Sequence, residues 1–86
     1  MRLPNDEVAP VITRFKRAQG HLGKVIAMME SGADCEDVLT QLAAVNKAIS
    51  RGGYALVATG LEHCQTTGVP PEEGRQKLEK LFLALA

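Results

Sequence analysis

Tryptophan is absent from this chain, and only three aromatic residues occur: Phe15, Tyr54 and Phe82. Stacking of successive bases on aromatic side chains, the usual grip on single-stranded nucleic acid, is thereby a poor fit. Long apolar runs are missing too. No stretch approaches the roughly 18 consecutive apolar residues that suggest a membrane-crossing helix. The N-terminal MRLPNDEVAP lacks the apolar segment of a secretory signal, so a cytoplasmic chain without a membrane partner is expected. Cysteine is scarce: Cys35 and Cys64 are the whole supply, and in the cytoplasm two such residues are expected as reduced thiols. No general acid/base pair and no nucleophile beside a base is visible, which argues against an enzyme.

Net charge is missing as well, because 10 basic and 10 acidic residues cancel. The cancellation is a sum over separate patches. Residues 10–29 hold Arg14, Lys16, Arg17 and Lys24 without a single acid, and residues 38–61 hold Lys47 and Arg51 on the same terms. The acids gather between these stretches, at Glu30, Asp34, Glu36 and Asp37, and toward the C-terminus. A neutral total therefore does not exclude a polyanionic partner.

What is present is helical periodicity over a chain of 86 residues that is 45% apolar, read as one domain spanning 1–86. A first helix, about 7–31, carries Val8, Val11, Ile12, Phe15, Leu22, Val25, Ile26 and Met29, with Pro10 in its first turn. Gly32 suits its C-terminal cap, and Asp34 suits the N-cap of a second helix, about 35–64. TTGVPP stops that helix, and a third runs over about 71–85, most simply as an assembly element. Two long helices and a short one leave most of their apolar stripe wet, so an obligate helical oligomer is expected.

Helical geometry constrains the thiols. The 29 steps from Cys35 to Cys64, at about 100° each, return within about 20° of the starting face, about 43 Å further along the axis. They cannot meet within one unbroken helix. Two antiparallel copies crossing near Ile49 and Ser50 bring Cys35 of one chain opposite Cys64 of the other. SRGGY lies at that crossing, where Gly52 and Gly53 either permit a close backbone approach or form a flexible kink. Two inert, buried cysteines remain the plain alternative.

The stretch RFKRAQGHLGKVIAMMESGADCEDVLTQLAAVNKAI resembles the copper-sensing operon repressor family, which also includes nickel/cobalt, formaldehyde and persulfide sensors. The resemblance is dense over residues 11–64 and weak in the third helix. It implies an all-α three-helix protomer, antiparallel four-helix-bundle dimers, and a disc-shaped tetramer that represses transcription until an inducer reaches the dimer interface. Copper sensors pair the first cysteine with a His and a Cys four residues apart on the partner chain. Cys64 matches the second, but the first falls on Gly60, which has no side chain to offer. Leu3, at an N-terminal ligand position of the nickel/cobalt branch, cannot ligate either. RAQGHLGKVIAMMESGADC looks closest to the persulfide-sensing branch.

The resulting expectation is a repressor that senses persulfide or polysulfide through Cys35 (attacking) and Cys64 (resolving), with no cofactor. The alternative is Cu(I) held by Cys35 and Cys64, with His63 recruited. Arg14, Lys16, Arg17, Lys24 and Arg51 are the expected contacts to operator double-stranded DNA, with Lys47 beside Arg51. Arg14, Arg17, His21 and Lys24 fall opposite the apolar stripe of the first helix. His21 is read either as a DNA contact or as a surface or capping residue, and Arg75 and Lys77 as further candidates for reaching DNA.

Overall fold

The computed structural model describes residues 2–67 and 71–85, without the side chains of 64–67 and 71. Three helices follow in order: α1 (Asn5–Glu30), α2 (Cys35–Thr67) and α3 (Pro71–Leu85). The described chain contains no strand. Helix α1 begins two residues earlier than its periodicity indicates. The backbone of Pro4 serves as its cap, accepting from the N–H groups of Glu7 and Val8 at 3.1 and 3.3 Å, and Asp6 and Glu7 sit at the positive end of the helix dipole. Pro10 is consequently inside the helix rather than in its first turn. It is exposed there, as is Asp6, whose carbonyl loses its helical donor and faces water.

The joint between α1 and α2 is built from short-range chemistry. Gly32 adopts φ +78°. Ala33 N–H returns to the Met28 carbonyl at 2.9 Å and Gly32 N–H to Met29 at 3.2 Å, the two bonds of a Schellman ending. Two residues later Asp34 Oδ2 accepts from Glu36 N–H at 3.0 Å, so Asp34 caps α2 as its position suggests. Met28 and Ala33 pack on the cluster formed by Val25, Val38 and Val45, which ties the turn to the core. At its far end α2 continues to Thr67, through residues expected to end it.

The apolar stripe of α1 divides into two rows. Val11, Ala18 and Val25, spaced by sevens, are buried against α2. Their counterparts on α2 are Val38, Val45 and Gly52, again spaced by sevens and buried. Small side chains bring the two axes close, and a Cβ at Gly52 would lie 2.9 Å from the Phe15 ring. The larger residues of the stripe remain outside this seam. Ile12, Leu22, Ile26 and Met29 on α1, with Leu39, Leu42 and Ile49 on α2, are all exposed, Leu39 to 57%.

Helix α3 folds back antiparallel on the C-terminal half of α2, with Leu78 against Gly60 and Leu85 against Gly53. Tyr54 and Phe82 meet with ring centroids 4.5 Å apart. At the start of α3 the Arg75 guanidinium donates to both Glu72 oxygens at 3.2 and 3.3 Å, and Gln76 donates to Oε1. Those bonds, Arg75 foremost, hold the Glu72 carboxyl below its usual range. The molecule measures 53 × 25 × 13 Å. Helices α1 and α3 both pack on α2, on faces about 100° apart, since adjacent Gly52 and Gly53 meet Phe15 of α1 and Leu85 of α3 respectively.

Candidate sensor and nucleic-acid surfaces

Cys35 is the first residue of α2, and its thiol is free and exposed. The Asp34 carboxylate, itself engaged by Glu36 N–H, stands immediately before it. Helix α2 runs without interruption from Cys35 past position 64. The Gly52–Gly53 pair is therefore not a kink, and the two cysteine positions occupy opposite ends of one rod. By helical pitch the two positions fall on the side of α2 that carries Leu42, Asn46 and Ile49. The side chain of Cys64 lies outside the described residues.

Gly52 and Gly53, expected to admit a second copy, are covered from within the chain, as is Gly60. Phe15 of α1 lies over Gly52, while Leu85 and Leu78 of α3 lie over Gly53 and Gly60. A β-carbon at Gly60 would come within 3.1 Å of Leu78, so position 60 has neither a ligand nor ready space for one. His63 turns toward α1, where its ring meets Glu7, Nδ1 to Oε2 at 3.0 Å. Its side chain is 14% exposed. It continues the α1-facing seam of α2 rather than the face of the cysteines, about 100° away. Within this single chain the described residues contain no group of three His, Cys, Asp or Glu side chains suited to a metal ion.

On the other side of the seam the basic residues separate into two groups. Arg14 and Arg17 of α1 and Arg51 of α2 line one shallow depression floored by Ala48. Lys24 is exposed one heptad beyond Arg17. Lys16 points elsewhere: it borders the apolar groove with Ile12, Phe15 and Ile49. None of Arg14, Lys16, Arg17, Lys24 and Arg51 forms an ion pair among the described residues, whose salt bridges are Glu7–His63, Glu72–Arg75 and Glu73–Lys77. Arg75 and Lys77 are thus engaged along α3 by their own acids. His21 is half-buried and bonded to Gln41 of α2, Nε2 to Oε1 at 2.8 Å, a bridge between helices rather than a residue pointing away from them.

Sequence reasoning missed Glu7, Gln41 and Ala48. Glu7 and Gln41 sit on ordinary polar positions of their helices, and only the antiparallel register of α1 on α2 brings them to His63 and His21.

An arginine-lined depression and an exposed thiol at a helix start are groups suited to binding and to responding. The chain belongs to the family described as "Metal-sensitive transcriptional repressor", whose model it matches over residues 7–86. This is a family of regulators, not of enzymes. It is 34% identical over 80 residues to the copper-sensing transcriptional repressor CsoR of Mycobacterium ulcerans, a match covering 93% of this chain and 68% of that one. The Mycobacterium tuberculosis protein of the same name is 34% identical over 74 residues, covering 86% of this chain and 62% of its relative. The chain thus spans about two thirds of the length of these relatives. The uncharacterized protein YrkD of Bacillus subtilis is 47% identical over 53 residues, or 62% of this chain and 84% of that one. No solved structure matches. The expectation that no cofactor takes part is overturned by these findings, since the matching family is metal-sensitive and two of these relatives are copper-sensing by name. No helix among the described residues is long and apolar enough to cross a membrane.

Proposed function

We propose that this chain is a DNA-binding repressor that leaves its operator when Cys35 of one subunit becomes joined to Cys64 of another. The observation that carries this reading is the unbroken α2, which holds the two cysteine positions on one side at opposite ends. Such thiols meet only between antiparallel chains. The open apolar groove of Ile12, Leu22, Leu39, Leu42 and Ile49 supports a second copy covering it, and pairs of such dimers would form the tetramer. Arg14, Arg17 and Arg51 form the centre of the DNA surface, with Lys24 at its edge and Lys16 contributing only where the groove rim approaches the duplex.

The inducer is thiophilic. A sulfane-sulfur donor transfers its outer sulfur to the Cys35 thiolate, giving a Cys35 persulfide and the donor's thiolate. The Cys64 thiolate of the neighbouring chain then attacks the inner sulfur, forming a disulfide and releasing hydrosulfide. When both cysteines are first persulfidated, the same displacement gives a trisulfide and one hydrosulfide. The second reading, favoured by the copper-sensing relatives, is Cu(I). Cys35 and Cys64 thiolates would hold it as a soft cation joining the same two helices, and the blocked position 60 leaves any third donor to come from elsewhere.

Mass spectrometry of the assembly separates these readings. Polysulfide treatment is expected to yield a covalent Cys35–Cys64 link, absent in Cys35→Ser and Cys64→Ser, together with loss of DNA binding. Release by stoichiometric Cu(I) without any covalent link supports the copper reading. Retention of DNA under both treatments, with both thiols modified or occupied, sinks the proposal.

A further inference from the structure

One ridge of α1, spaced by sevens, carries Glu7, Arg14 and His21. Its two ends are fastened to α2, Glu7 to His63 at 3.0 Å and His21 to Gln41 at 2.8 Å. Between them stands Arg14, which shares its depression with Arg51. The apolar seam alongside consists of small side chains, Val11, Ala18 and Val25 against Val38, Val45 and Gly52. Phe15 seated over Gly52 fixes one point of this seam. The two polar bridges add directional constraints toward its ends, since a hydrogen bond weakens steeply once its geometry is lost.

The bridges are not equivalent. His63 precedes Cys64 by one residue on the same helical turn, whereas Gln41 lies six residues from Cys35, about 9 Å along the axis and about 120° around α2 from it. We propose that Glu7–His63 is the positioning pair through which the state of Cys64 reaches the arginine surface. A link formed at Cys64 draws the end of α2 toward the neighbouring chain. Through His63 that displacement is passed to Glu7 and so to α1, changing the spacing of Arg14 and Arg17 from Arg51. His21–Gln41 holds the same surface in both states and takes no part in the coupling. The pair is nearly shielded on the histidine side, 14% exposed, and 37% exposed on the glutamate side, so it is less screened than an open surface pair.

This inference rests on the thiol-controlled repressor reading, and its test is arranged so that the two fail separately. DNA affinity is measured for the reduced protein and for protein whose Cys35–Cys64 link has been verified by mass spectrometry. The ratio of the two dissociation constants is the readout. If the unsubstituted protein shows a ratio near one, the repressor reading itself is wrong. Given a large ratio there, Glu7→Gln and His63→Gln are expected to bind DNA within about threefold of the parent when reduced and to form the link to the same extent. Their ratio is expected to fall at least tenfold. Gln41→Ala serves as the contrast, weakening DNA binding in both states while preserving the ratio. A parental ratio in Glu7→Gln and His63→Gln overturns the proposal. So does a loss of affinity in the reduced variants together with lowered helix content, which would make the pair a folding contact only.

Discussion

At the scale of single residues, glycine positions decide how closely the elements approach. Gly32 sits at φ +78°, a conformation costing an L-residue about 1–2 kcal/mol. Gly32→Ala is therefore expected to lower unfolding free energy by about 1 kcal/mol, read from a shift in the urea midpoint at constant slope. Gly52 is constrained by contact, not by dihedral: the Phe15 ring lies where its β-carbon would be. Gly52→Val should cost about 1–3 kcal/mol despite the intrinsic helix penalty of glycine, because the ring must be pushed off α2. Alanine there is a milder test, because its single β-carbon needs the Phe15 ring to shift only slightly. Gly60→His, which would restore a donor at the position where copper sensors have one, collides with Leu78 and should loosen α3 before it gains any metal affinity. Limited proteolysis near α3, compared with the parent chain, reads this out.

At the scale of elements, the α1–α2 pair presents an arginine-lined depression and an apolar groove on two sides of one seam. Burial in the seam is modest in area but complete at its centre, Val25 being 0% and Val45 1% exposed. Val45→Ala removes about two methylene equivalents and should cost about 2 kcal/mol or somewhat more if the cavity persists. On the basic side, the arginines come from both helices, so neither helix alone displays the surface. Replacing Arg14, Arg17 or Arg51 by alanine should weaken binding to all duplexes alike, and each replacement should reduce the slope of log affinity against log salt by about 1. Lys16→Ala is expected to change that slope less, because its side chain borders the apolar groove. A reversed ranking would show that DNA lies across the groove side instead.

At the scale of the whole molecule, three helices bury only a narrow core, with Val25 and Val45 fully enclosed. Ile12, Leu22, Leu39, Leu42 and Ile49 are left wet, and together they make a contiguous apolar strip of the kind that marks an interface. A charge placed in its middle, as in Ile49→Lys, should dissociate the assembly in sedimentation experiments and abolish the Cys35–Cys64 link, while leaving the seam of each protomer intact. Helix α3 adds a condition to that assembly. It occupies the glycine half of the α2 face, so a second copy arranged as proposed would have to meet the outer leucines of α3, Leu81 among them, as well as the open groove.

Much of this was determined by the sequence alone. Helical periodicity, the Gly32 ending and the Asp34 cap are local, set by interactions within about four residues, and they appear where the sequence indicates. The shared side of Cys35 and Cys64 follows equally from pitch along one continuous helix. Which apolar residues would be buried was another matter. The stripe of α1 reads as a single band, yet only Val11, Ala18, Val25 and the Phe15 ring, which lies over Gly52, face α2, while Ile12, Leu22 and Ile26 turn outward. The occupants of the glycine surfaces, the His63–Glu7 and His21–Gln41 bridges, and the parting of Lys16 from the arginines were decided only by the tertiary structure. Each depends on the register between residues far apart in the chain, and helical spacing within one element carries no information about how it is aligned against another.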